Sequence, residues 1–206
     1  MSTAIADSLE LEIGSTRRLV RGVATGVAKA LSQILCPPFV LIGMVLLMAK
    51  YSIEDFRGYA ETYTLLALVL PLALLVTYRV RGRISDLHMN NRSERFLPFL
   101  WSIVGAAAGW SALVISEAPA LLESLASAHL VSAILLLLFT LRWKVSIHAA
   151  AIAGVAVMGV RDLHLSAPLL ILLASSVCWS RVYLRRHTIP QTLVGALLGT
   201  ASFLLC

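Results

Sequence analysis

Charge is scarce in this 206-residue chain: 14% of its residues are Asp, Glu, Lys or Arg, and 59% are hydrophobic. Soluble domains carry about 25% charge and about 45–50% apolar residues, so a water-soluble globule is the first class excluded. Acid is scarcer than base. The only aspartates are Asp7, Asp55, Asp86 and Asp162, too scattered for the paired clusters that a magnesium-diphosphate site needs. Cysteine is rare too. Cys36, Cys178 and Cys206 lie in or beside apolar runs, without the paired spacing of a disulfide or a metal site. They read as small buried hydrophobes. Charges within the middle of the apolar runs are missing, which argues against a channel or an ordinary transporter. The start of the chain lacks the basic-then-apolar order of a cleaved signal peptide, because Asp7, Glu10 and Glu12 precede Arg17, Arg18 and Arg21.

What remains is apolar sequence in blocks. Seven runs, at about 34–49, 59–78, 96–116, 119–141, 145–160, 164–180 and 189–206, are separated by short polar joints. A spanning helix needs about 20 apolar residues, with a range of about 17–25, so the first and fifth runs are short. The pattern predicts an all-α, polytopic membrane helix bundle with six or seven transmembrane helices, in residues 34–206. Residues 1–33 read as an N-terminal amphipathic segment. Val20, Val23, Val27, Leu31 and Ile34 share one helical face, with Arg17, Arg18 and Arg21 largely off it. Such a helix suits the membrane interface, and the same pattern also fits a soluble helix packed on the domain. Pro37-Pro38 marks the break between the two parts. Gly22/Gly26, Gly105/Gly109 and Gly195/Gly199 are G-x3-G pairs, which let helix backbones approach closely. They suit packing within the bundle first and a homo-oligomer second. The net charge of +6 gathers near run ends, which fits lipid headgroups and phosphate rather than nucleic acid.

The densest polar joint is Trp179 to Gln191, where Arg181, Arg185, Arg186 and His187 crowd between two apolar runs. Ionisable groups beside hydrocarbon are costly and signal function by default. Ser180-Arg181, five residues, then His187 follows the S-R-x5-H-x3-D signature, with Gln191 at the place of the final Asp. Upstream, Val145-Ser146-Ile147-His148 keeps the Ser and His of a P-S-G-H signature. His88 and Arg95 take the Lys and Arg places of K-x6-R-P, with Pro98 three residues after Arg95. In this order and over residues 86 to 191, the chain resembles the type 2 phosphatidic acid phosphatase superfamily. The match is strong at the third signature, partial at the second and loose at the first.

The resemblance implies an integral membrane lipid phosphatase that works through a phosphohistidine, without a metal or other cofactor. It assigns the nucleophile to His187 and protonation of the leaving alkoxide to His148. Arg95 and Arg181 would hold the phosphoryl oxygens, since guanidinium offers phosphate paired donors. Ser146 would add a hydroxyl, and His88 and Arg92 lie in the same polar joint as Arg95. The substrate would be a lipid monophosphate or diphosphate, phosphatidate-like or polyprenyl, reached from the surrounding membrane lipids. Gln191 departs from the pattern: the family's Asp orients the nucleophile and offsets its developing charge, and an amide only accepts the hydrogen bond. Asp86 or Glu94 can supply the missing charge, and Asp86 is the better placed, although it also suits a helix N-cap. Otherwise the enzyme works with a neutral partner, or the same fold binds or flips phospholipid or polyprenyl phosphate without hydrolysing it.

If all seven runs cross, an even number of spans separates the signatures, so all three share one side. Fourteen of the 17 Lys and Arg residues then fall on that side, and Lys50, Arg57 and Arg161 on the other. The positive-inside rule places the crowded side in the cytoplasm, and the protein in a cell inner membrane with its site facing inward.

Overall fold

The computed structural model describes residues 2–51, 56–84, 94 and 96–206, with the backbone alone for residues 2–13 and Ser15. Eight helices make up the described chain: α1 (Ser2–Ile34), α2 (Pro37–Tyr51), α3 (Arg57–Val80), α4 (Phe96–Ile115), α5 (Ala120–Thr140), α6 (Ile147–Arg161), α7 (Ala167–Tyr183) and α8 (Ile189–Leu205). The apolar runs reappear as these helices with shifted ends.

Three helices, α3, α4 and α5, are long and apolar enough to cross a membrane, and a fourth crossing is available if α1 and α2 count as one bent span. The helices α6, α7 and α8 have 15, 17 and 17 residues. At 1.5 Å per residue that is about 22–26 Å, short of the ~30 Å hydrocarbon layer. The outward faces of the bundle carry Leu46, Leu65, Leu70, Val104, Leu172 and Leu197 in the open. An apolar surface of this extent is costly in water and matched by lipid.

α1 meets α2 at an angle of 59°, at the break before Pro37-Pro38. The fixed φ and missing N–H of proline suit it to a helix start and not to a helix interior. α1 packs along α7 through small residues, with Ala28 and Ser32 buried. Its apolar stripe of Leu19, Val20, Val23, Val27 and Ile34 stays exposed. This outward stripe is the opposite of what a helix packed by its apolar face would show.

The glycine pairs decide how closely the helices approach. A Cβ on Gly195 would lie 2.4 Å from the Ser146 carbonyl oxygen, and one on Gly199 2.0 Å from that of Ala150, so α8 presses its bare backbone against α6. Gly105 and Gly109 do the same for α4 against α3, where a Cβ would meet Pro71 and Leu66, and Ala67 and Tyr63. Gly22 and Gly26 meet nothing within 4 Å.

Inside α3, Thr64–Val69 is wound as a π-helix, and the Leu70 N–H bonds to the Leu65 carbonyl. Pro71 explains the wider turn. A proline in a regular helix clashes with the carbonyl four residues before it and cannot donate to it, and a π turn moves that carbonyl away. Polar clasps tie the far ends together: Arg161 donates to the Phe203 carbonyl at 2.8 Å and pairs with Asp162 at 2.8 Å, and Ser124 donates to the Cys206 carbonyl at 2.9 Å.

Candidate functional site

The turn from α7 to α8 explains the spacing of Arg181 and His187. The Arg186 N–H returns to the Arg181 carbonyl at 3.0 Å and the Arg185 N–H to that of Val182 at 2.9 Å. This is the Schellman arrangement, in which the residue after the C-cap takes a left-handed conformation. Arg185 does so with φ 54°. The His187 N–H also reaches the Arg181 carbonyl, at 3.3 Å. The chain therefore doubles back, and His187 arrives beside Arg181 before Thr188 caps α8.

Gln191 has two tasks. It is the third residue of a capping box: the Thr188 hydroxyl accepts the Gln191 N–H at 3.4 Å, and the Thr188 N–H donates to Gln191 Oε1 at 3.2 Å. The same oxygen lies 3.3 Å from His187 Nδ1. Because the Thr188 N–H can only donate, the atom between them must be the amide oxygen, so the proton of neutral His187 sits on Nδ1. Its Nε2 then keeps the lone pair.

The start of α6 is tied to the start of α8 by the Ser146 N–H, which donates to the Gln191 carbonyl at 3.2 Å. Ser146 is fully buried and its hydroxyl accepts the Ala149 N–H at 3.3 Å as the N-cap of α6. Ile147 and His148 line the cavity described next, and Ser146 does not. The hydroxyl expected at the phosphate is therefore turned to helix capping.

A cavity of about 430 Å³ opens between these elements. At one end stand His148, Arg181 and His187, with Ser32 and Gln33 from α1. The walls below are apolar, from Leu41, Leu68, Pro71, Leu75, Phe99 and Leu136, down to His129. Arg181 is only 2% exposed, and its Nη1 donates to the Ser32 hydroxyl at 2.5 Å. His148 Nε2 lies 3.2 Å from the Ser32 carbonyl, which makes that nitrogen the protonated one. One residue of the N-terminal helix thus engages both the guanidinium and an imidazole.

Three of the residues expected from the sequence, His148, Arg181 and His187, come together here, and Gln191 stands directly behind His187. Asp86, His88, Arg92 and Arg95 lie outside the described residues. Sequence reasoning missed Ser32, whose only signal is its place in the small-residue row Ala24, Ala28, Ser32. It also passed over His129, an ionisable residue in the middle of an apolar run. Comparison with protein-family models, with curated proteins and with solved structures finds no match for this chain.

Proposed function

We propose that the protein is an integral membrane lipid phosphatase of the phosphohistidine kind, hydrolysing a lipid monophosphate or diphosphate. The observation that carries this reading is the convergence of Arg181, His187 and His148 at one end of a largely apolar cavity. A phosphorylated lipid has the matching form, with an anion at one end and hydrocarbon behind it. The starts of α6 and α8 lie side by side there, and the positive ends of two helix dipoles favour an anion.

In this reading Arg181 holds the phosphoryl oxygens. The Nε2 lone pair of His187 attacks phosphorus while the bond to the lipid oxygen breaks, and the leaving alkoxide takes a proton from His148. Water, deprotonated by His148, then attacks the phosphohistidine. The P–N bond breaks, inorganic phosphate leaves and His187 regains its lone pair. Substrate binding displaces Ser32 from Arg181 and His148. The resemblance adds Arg95, Arg92 and His88 as further phosphate ligands and Asp86 as the compensating charge, all four outside the described residues. We further propose six or seven crossings, with α6, α7 and α8 reaching the interfaces through their polar flanks, and α1 lying in the interface by its exposed apolar stripe. The 14-to-3 division of basic residues puts the site on the cytoplasmic side of a cell inner membrane.

One observation favours a second reading, binding or flipping without turnover. Gln191 carries no charge, and replacing the orienting Asp of a serine protease by its amide lowers turnover by about 10⁴. Phosphate release from a panel of lipid monophosphates and diphosphates in detergent separates the two. The expected result is release by the parent and none by His187→Ala. Equal release by both removes the phosphohistidine mechanism. Tight binding without release by the parent selects the second reading.

A further inference from the structure

The deep half of the cavity is not plain hydrocarbon. Ser102 of α4 and His129 and Ser132 of α5 all line it. His129 and Ser132 are three residues apart and so share one face of α5. Counting down from Thr140, where α5 ends on the same side as the site, Ser132 lies about 12 Å and His129 about 16 Å into the bundle.

Behind His129 stands Tyr63, fully buried, with its hydroxyl 2.9 Å from His129 Nδ1. Among the described residues that nitrogen is the only acceptor the Tyr63 hydroxyl has. Its proton therefore goes to Nδ1, and the ring carries its own proton on Nε2. Among the described residues neither His129 Nε2 nor the hydroxyls of Ser102 and Ser132 have a hydrogen-bond partner. Neighbouring serines in the bundle behave differently: those at 176, 180 and 202 all donate to a carbonyl of their own helix. Three neutral polar groups, from the adjacent helices α4 and α5, thus stand open in an otherwise largely apolar lining.

We infer that this is a second subsite, which receives a neutral oxygen, hydroxyl or carbonyl, carried partway along the chain of the bound lipid. The inference deepens the proposed function and rests on it, since the phosphate end anchors the chain at Arg181. A charged group is unsuited to the deep position. Arg181 is the only permanently charged side chain among the described lining residues, and it belongs to the other end. A plain hydrocarbon chain would displace water from the cavity and leave buried donors unmade, which costs more than a hydrogen bond gains. A site built to hydrogen-bond an oxygen therefore rejects the analogue without it. The other source of a neutral oxygen is a bound water, which several polar partners can hold.

The test uses pairs of single-chain alkyl phosphonates of equal length, which bind without being hydrolysed. One of each pair is plain and the other has a keto group, moved stepwise along the chain. Binding is measured by calorimetry on the detergent-solubilised full chain. The expected result is a preference of about five- to tenfold for the keto lipid at one position only, the size of one hydrogen bond. Ser132→Ala and His129→Phe should erase the preference while leaving the plain lipid bound as well or better. Tyr63→Phe, which keeps the ring of His129 but removes its lock, should weaken it and guards against misfolding of His129→Phe. Equal affinity for both lipids in the parent, or a preference that survives in all three variants, overturns the inference and points to water. That outcome leaves the phosphate end intact, as Arg181→Met shows by losing both lipids together. Failure of the parent to bind either lipid removes the proposed function and the inference with it.

Discussion

Substituting Gly199 by Ala puts a methyl group where the backbone of α6 already lies. Its Cβ would sit 2.0 Å from the Ala150 carbonyl oxygen, 2.6 Å from the carbonyl carbon and 2.7 Å from Cα. Ordinary contact begins near 3.4 Å, so the two helices must part by about 1.4 Å at this level. No side-chain rotation can relieve the clash, because all three atoms are backbone. Overpacking costs about 1–3 kcal/mol, and the rigid obstacle puts this case at the upper end, about 3 kcal/mol. For a chain of this size that corresponds to a fall of about 6–12 °C in melting temperature. The parting also lengthens the Ser146–Gln191 link and draws His148 away from His187. A displacement of about 1 Å at a reacting centre is worth about 10² in rate. The assay is thermal unfolding in detergent, followed by phosphate release, with Gly22→Ala as the control. Gly22 meets nothing within 4 Å, so its substitution should leave stability unchanged or slightly raised. A Gly199→Ala protein that melts within 2 °C of the parent, on the scale of about 2–4 °C per kcal/mol, refutes the argument from backbone contact.

Gln191→Glu keeps the length that the capping box and His187 require and adds a charge behind the ring. It should stabilise the start of α8 by about 0.3–1 kcal/mol and raise phosphate release, whereas Gln191→Leu should lose both cap and activity; unfolding and release assays read both. Arg185→Gly should raise stability by about 0.5–1 kcal/mol by relieving the left-handed conformation, and Arg185→Val should lower it, as melting curves will show. In a cysteine-free background, an impermeant thiol reagent on intact cells should label a cysteine at Gly58 and miss one at Arg81. The reverse pattern overturns the inward-facing site.

The helices and their approximate ends were legible because apolar runs and prolines act locally. The partnership of Arg181 and His187 was legible for a similar reason: one helix end, a reversal and the next N-cap fix their distance within seven residues. Ser146 was readable as a site residue by spacing, but its spacing from Ala149 is also that of an N-cap, and packing against α8 decided which role its hydroxyl took. Ser32 was not legible, because it reaches His148 across 116 positions of sequence through the packing of α1 on α7. His129 was hidden in the same way: only the approach of α3, allowed by Gly109, supplies its partner Tyr63. The lengths of α6, α7 and α8 agree with the apolar runs to within a residue, and what shifted is the ends: His164, at the head of its run, folds in the turn before α7 with a φ of 50°.

The π turn of α3 amounts to one extra residue threaded into an otherwise regular helix. A residue of α-helix turns the chain by about 100°, so the parts of α3 on either side of Thr64–Val69 are out of phase by roughly that angle. Below the turn the helix offers Tyr63 to His129, and above it the helix offers Pro71, Leu72 and Leu75 to the cavity. Both faces point inward only because of the insertion. Deleting a single residue from this stretch would restore an unbroken α-helical register and keep the span apolar, yet it would swing one half of the lining out towards lipid. The length of this segment, more than its composition, is therefore what insertions and deletions cannot alter without emptying one end of the cavity of its partners.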